Sequence, residues 1–317
     1  MAFYDVFNGD ADGICSLLQL RQVEHRESHL VTGVKRDINL LKRVEASPGD
    51  SITVLDISFD KNRADVTRLL DVGARVFYCD HHHAGEISPH DQLTTLINIS
   101  PEVSTSALIN GFLKGARAGW SVVGCYGDNL DATAERIAAT LASPVDLARY
   151  KQLGVLINYN GYGAQVSDLH FAPEALFQRL LPHQDPTACI ADDPDLIATL
   201  SVAYADDMAN AEQAPRLVND AAIAVIAFPD APWARRVSGV YGNALANRAP
   251  DTAHAVLTKI KEGYLVSVRA PLNARSGADE LCRQFPTGGG RAAAAGINEL
   301  PVESLAEFID AMGRQYR

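Results

Sequence analysis

The stretch Phe3-Tyr4-Asp5-Val6-Phe7-Asn8-Gly9-Asp10-Ala11-Asp12-Gly13 runs from an apolar β-type segment into a tight turn with two acidic residues, and a helical pattern begins at about Gly13. The same rhythm then repeats along the first third of the chain. Leu30–Val34 reads as a strand before a polar helix, Ile52–Leu55 as a strand before a helix over Lys61–Leu70, and Ala74–Tyr78 as a strand before a loop. Strands alternating with helices imply an α/β fold with a mostly parallel, doubly wound sheet. Asp12 and Asp60 stand where helix N-caps are expected, and Gly73 lies just past a helix end, where a left-handed cap is wanted.

Further along, residues 102–117 and 130–160 read as helices, and Pro194 to about Gln213 as one long connecting helix. A second α/β rhythm follows: a strand over Ala221–Phe228, a helix over Ala234–Asn247, strands over Ala255–Lys259 and Tyr264–Arg269, and a helix over Ala278–Phe285. A glycine run and a terminal helix near Val302–Gly313 complete it. The expected organisation is a first domain over 1–190, a helical linker over 191–219 and a smaller α/β domain over 220–317. Neither repeats nor heptads are present, so solenoid and coiled-coil readings fall away.

Composition narrows the function classes. With 47% hydrophobic and 21% charged residues the chain is a folded globular protein. A net charge of −11 disfavours a protein that coats long duplex DNA, which needs many basic residues against phosphates. The charge is uneven: from Asp220 onward 11 Lys and Arg face 10 Asp and Glu, while the preceding residues set 17 against 29. A carboxylate cluster built around divalent cations would contribute to such an imbalance. Cys15, Cys79, Cys125, Cys189 and Cys282 are scattered without a Cys-x-x-Cys spacing and read as reduced thiols. No membrane-length apolar run and no secretory leader pattern is seen, so the expected location is the cytoplasm.

The chemistry-bearing residues fall at strand ends. Asp10 and Asp12 follow the first strand, Asp56 ends the strand Ile52–Leu55, and Asp80 ends Val76–Cys79, so three strands deliver carboxylates to the edge where open α/β sheets bind ligands. His81, His82 and His83 follow Asp80 directly, and oxygen ligands with an imidazole suit Mn²⁺ or Mg²⁺ better than a sulfur-bound zinc. Asp128 lies in the glycine-spaced stretch Gly124–Asn129, read as a loop. Near the C-terminus, Gly288-Gly289-Gly290-Arg291 offers backbone N–H groups and a forked donor to an anion, with Arg269 and Arg275 upstream in the same domain.

Taken together, Asp-x-Asp after the first strand, Asp56, Asp80-His81-His82 and distal Asp128 resemble the DHH phosphoesterase family. The glycine run with its alanines is similar to the motif of the DHH-associated C-terminal domain. The resemblance implies two divalent cations, Mn²⁺ ahead of Mg²⁺, in an interdomain cleft. Asp10 would hold the first, Asp12, His81 and Asp128 the second, and Asp56 would bridge both, while Asp80 would steady the site or ligate weakly. A hydroxide activated by the two metals would attack the phosphorus. His82 would contact the scissile phosphate or protonate the leaving group, and Arg291 with Gly288–Gly290 would hold the far end of the substrate, with Arg269 and Arg275 as further candidates. Two departures stand out. Asn8, a weak neutral ligand, replaces a common histidine, and Arg291 follows the glycines where histidine is usual. Ser104–Ala107 and Asn158–Gly163 also look family-like, but read first as a helix N-cap and a glycine-rich turn.

The implied activity is Mn²⁺-dependent hydrolysis of short oligonucleotides or linear dinucleotides to mononucleotides, in the manner of a nanoRNase. The alternatives are a 3′-phosphoadenosine 5′-phosphate phosphatase and a weakly active or non-catalytic nucleotide-binding regulator; a homodimer is compatible with either.

Overall fold

The computed structural model describes all residues, Met1–Arg317, and divides into two units, Met1–Ser201 and Val202–Arg317.

In the first unit the order is β1 (Phe3–Phe7), α1 (Ala11–Val23), β2 (His29–Val31), β3 (Ser51–Leu55), α2 (Phe59–Asp71), β4 (Arg75–Asp80) and β5 (Leu93–Ile97). Then come α3 (Thr105–Phe112), α4 (Ala118–Gly127), α5 (Asp131–Ala138), α6 (Leu147–Gly161), α7 (Pro173–Leu180), α8 (Pro186–Asp192) and the start of α9 (Pro194–Glu212). The five strands form one sheet in the order β2-β1-β3-β4-β5, and every pairing is parallel. Such a sheet has both faces covered, so its strands carry nearly continuous apolar runs, as β3 does over Ile52–Leu55. Val6, Val54 and Tyr78 pack with Val66 and Leu69 of α2 on one face. Phe7 points to the other face, with its ring 5.7 Å from that of Phe177 on α7. The chain crosses to β2 on one side of β1 and to β3 on the other, which makes the carboxyl ends of β1 and β3 the topological switch point.

Several local expectations change. Asp10, not Asp12, caps α1, accepting from the N–H of Gly13 at 3.0 Å. Ser58, not Asp60, takes the cap position of α2, while Gly73 has the expected positive φ of 91° just beyond that helix. Only a single 3₁₀ turn, Leu40–Arg43, stands where a polar helix was expected after β2. The stretch Gly124–Gly127 is helical, and Asp128 is the C-cap of α4 instead of a loop residue. Nor is Asn158–Gly161 a turn, because it forms the last part of α6.

The second unit continues α9 and adds β6 (Arg216–Asn219), β7 (Ile223–Phe228), α10 (Pro232–Arg248), β8 (Ala253–Ile260), β9 (Gly263–Arg269), α11 (Ala278–Cys282), β10 (Gly288–Gly290), β11 (Ala294–Pro301) and α12 (Leu305–Tyr316). Its sheet runs β10-β11-β9-β8-β7-β6, with β7 and β8 parallel and the other pairs antiparallel. Leu281 of α11 and Phe308 and Met312 of α12 close its core over Val225, Leu257 and Val268.

Candidate metal centre

The carboxyl edge of the first sheet collects charged side chains from four adjacent strands. The turn after β1 supplies Asp10 and Asp12, the loop after β2 supplies Lys35, the end of β3 supplies Asp56, and β4 ends in Asp80 with His81 and His82 directly behind it. Helices α4 and α6 close in over this edge, where glycine permits the approach. A Cβ on Gly127 would lie 2.3 Å from that of Ala11, and one on Gly161 would lie 3.0 Å from the Cα of Asp10.

Two overlapping triads result. One donor atom each from Asp12, His81 and Asp128 lie within 4.8 Å of one another, as do those of Asp56, His81 and His82. His81 is common to both, with Nε2 3.4 Å from Oδ1 of Asp56 and 3.6 Å from Oδ2 of Asp128. Its other nitrogen, Nδ1, donates to the carbonyl of Val103 at 2.8 Å, which fixes the ring and leaves Nε2 facing the carboxylates.

Asp12 is held by the N-terminus of α3, its two oxygens accepting from the N–H groups of Thr105 at 2.7 Å and Ser106 at 2.8 Å. Thr105 also donates its hydroxyl to Asp56 Oδ1 at 3.1 Å. The stretch read as an N-cap is therefore both things, because Ser104 caps α3 and the two residues after it brace the acidic cluster. Asp56 sits at φ 60°, in the left-handed region, at the end of β3.

The electrostatics of the cluster call for cations. Burial, then the charges of Asp10 and Asp12, push the Asp56 carboxyl well above the usual range. Asp12 is raised too, first by burial and then by Asp128. Burial opposes a charged His81, yet hydrogen bonding and charge from Asp56, with Asp128 and Asp12, raise it to about 10. Oxygen donors with one or two imidazoles fit a divalent cation of the Mn²⁺ or Mg²⁺ kind at the Asp12–His81–Asp128 triad and at the Asp56–His81–His82 triad that shares His81 with it.

The position expected on Asp10 and Asn8 fits a second ion poorly. Oδ2 of Asp10 lies 2.5 Å from Nζ of Lys35, so a cation already holds that carboxylate, and Asn8, whose amide nitrogen donates to the Lys35 carbonyl at 3.3 Å, offers only a neutral oxygen as the open donor there. Asp80 belongs to neither triad. It is fully buried and accepts from Nδ1 of His82 at 2.7 Å through Oδ1, while its buried Oδ2 has no hydrogen-bond partner.

In the second unit, Gly288–Gly290 form the edge strand β10. A Cβ on Gly288 would fall 1.7 Å from the Cys282 carbonyl, and Gly290 has φ 141° with Ala295 behind it, so Gly288 is required by the approach of the end of α11 and Gly290 by the hairpin itself. Arg291 is exposed at the turn into β11. Arg269 donates to Asn243 Oδ1 at 2.7 Å and Ser267 Oγ at 3.1 Å, and exposed Arg275 donates to the Leu272 carbonyl at 3.2 Å.

Sequence comparison matches neither a family model nor a curated protein. Structural comparison gives whole-chain similarity. A DHH domain from a protein described as a member of a ribosomal-protein family superposes with a TM-score of 0.65 at 12% identity, covering 99% of this chain and 86% of that one. The fold is that of the DHH-domain proteins. Two further neighbours share this DHH fold. RecJ from Thermus thermophilus in complex with Mn²⁺ has a TM-score of 0.65 at 17% identity, covering 99% of this chain and 51% of RecJ. The pGpG-specific phosphodiesterase PggH from Vibrio cholerae has a TM-score of 0.57 at 14% identity, covering 99% of this chain and 100% of PggH. No helix is long and apolar enough to cross a membrane.

Sequence reading missed Lys35. A lone lysine after a three-residue strand carries no motif, and the one available signal was its position at the same sheet edge as the carboxylates.

Proposed function

We propose that the chain is a metal-dependent phosphoesterase that cleaves short oligonucleotides or linear dinucleotides to mononucleotides. The observation that carries this reading is the Asp12–His81–Asp128 triad, with Asp56 beside it, at the switch point of a DHH fold. A divalent cation held there would supply Lewis acidity to a phosphoryl group and lower the pKa of water. The chain's own groups do the rest. Val103 orients His81, the N-terminus of α3 holds Asp12, and Thr105 fixes one oxygen of Asp56. His82, aligned by Asp80, presents a partly exposed ring that can give a proton to a leaving oxygen. Gly288–Gly290 and Arg291 are the candidates for holding the far end of the substrate.

A small substrate is favoured by the charge of the chain, −11 overall and near balance beyond Asp220, which leaves few basic groups to follow a long polyanion. The dinucleotide specificity named for the Vibrio cholerae neighbour supports the same class.

The test is hydrolysis by the purified protein with Mn²⁺ of a linear dinucleotide, RNAs of increasing length, 3′-phosphoadenosine 5′-phosphate and pyrophosphate. Turnover greatest on the dinucleotide and falling with length is expected. Preference for 3′-phosphoadenosine 5′-phosphate would replace the substrate assignment, and tight nucleotide binding without turnover would make the protein a regulator.

A further inference from the structure

We propose that Lys35 is a built-in cation that takes the place of one of the two divalent ions expected of the DHH fold, so that the site binds a single ion at the His81-centred carboxylates and none on Asp10. The inference rests on reading this edge as a metal centre. The Lys35 ammonium lies 2.5 Å from Asp10 Oδ2 and 3.3 Å from Asp128 Oδ1, joining two carboxylates that two-ion chemistry would assign to different ions. Asn158 Oδ1 accepts from it at 3.1 Å, and the Tyr162 ring centroid lies 5.4 Å away.

Its backbone is fixed on both sides. The N–H donates to the Gly161 carbonyl at 2.8 Å, and the carbonyl accepts from Asn8 Nδ2 at 3.3 Å. A lysine so anchored is part of the site and not a surface side chain folded inward. The Lys35 ammonium already answers the Asp10 carboxylate at salt-bridge distance, and a divalent ion on Asp10 would have to sit beside that ammonium. The neutral Asn8 agrees, since the position it shares with Asp10 no longer assembles anionic ligands.

The experiment is equilibrium dialysis against Mn²⁺ followed by elemental analysis and electron paramagnetic resonance, on the wild type and the Lys35→Arg, Lys35→Met and Asn8→Asp/Lys35→Met variants. One ion per chain with the hyperfine-resolved signal of isolated Mn²⁺ is expected for the wild type and Lys35→Arg. Two ions with a spin-coupled signal are expected once the ammonium is removed, in Lys35→Met or in the double variant. Two ions in the wild type would overturn the role of Lys35 while leaving the metal centre intact. One ion in every variant would also overturn it, and none in the wild type would overturn the metal centre itself. The wild-type count stands even if a variant fails to fold.

Discussion

Nδ1 of His82 lies 2.7 Å from Oδ1 of Asp80, a carboxylate with no exposed surface, while the imidazole itself is 42% exposed. A buried acid bonded to one nitrogen of a partly exposed histidine leaves the other nitrogen for proton transfer, and on this geometry we assign Asp80 the role of positioning His82. Asp80→Asn should lower kcat by about 10–100-fold and leave Mn²⁺ affinity nearly unchanged. His82→Gln should lose as much, and the double variant little more than either. Steady-state kinetics beside Mn²⁺ titrations check this; a large loss of affinity in Asp80→Asn would make it a ligand after all.

Asp56 combines a left-handed backbone with a carboxylate crowded by Asp10 and Asp12. Asparagine tolerates that backbone and removes the charge. Asp56→Asn should therefore raise metal-free stability by about 1 kcal/mol, the scale of a relieved buried repulsion, while abolishing the stabilisation that Mn²⁺ gives the wild type. Thermal unfolding with and without Mn²⁺ measures both effects.

The approach of α4 to the Asp10–Asp12 turn depends on Gly127. Alanine there would gain about 1 kcal/mol of helix propensity, but its Cβ would sit 2.3 Å from that of Ala11, and overpacking of this kind costs about 1–3 kcal/mol. Gly127→Ala should destabilise the protein and weaken Mn²⁺ binding together, and the exchange Ala11→Gly/Gly127→Ala should recover much of both. Denaturant unfolding and Mn²⁺ titration of the single and double variants check it.

How far the sequence could be read follows from what each residue needs as a partner. Asp10, Asp12, Asp56 and Asp80-His81-His82 were legible because each ends or follows a recognisable strand, and parallel strands bring those ends to one edge without further information. Which aspartate caps α1 was not legible, since Asp10 and Asp12 stand two residues apart and either suits a cap; the choice falls to Asp10 because the α3 N-terminus, 93 and 94 residues away, takes Asp12. Helix α4 escaped for another reason. It is buried on all sides, so Gly119, Gly124 and Gly127, which admit close neighbours, erased the amphipathic pattern and read as loop signals. Lys35 meets Asp128 and Asn158 only through tertiary folding, over 93 and 123 residues.

In the second unit His254 is buried in β8, and burial holds its pKa down to about 4. A histidine held neutral when folded but titrating near 6.5 when unfolded binds more protons in the unfolded state. Its cost is thus absent above pH 6.5 and grows as pH falls toward 4. By pH 5 it should amount to about 2 kcal/mol. Urea unfolding of the wild type and His254→Gln at pH 7 and pH 5 should show the variant losing less stability between the two; equal losses would contradict it.

The most direct test of the metal centre is turnover of a linear dinucleotide before chelation, after chelation and after Mn²⁺ is restored, in the wild type and in Asp128→Asn, which keeps the size of the side chain and removes one ligand charge. Hydrolysis to mononucleotides that stops on chelation, returns with Mn²⁺, and falls by orders of magnitude in the variant is the predicted result. Hydrolysis that persists through chelation, or that Asp128→Asn leaves untouched, would contradict it.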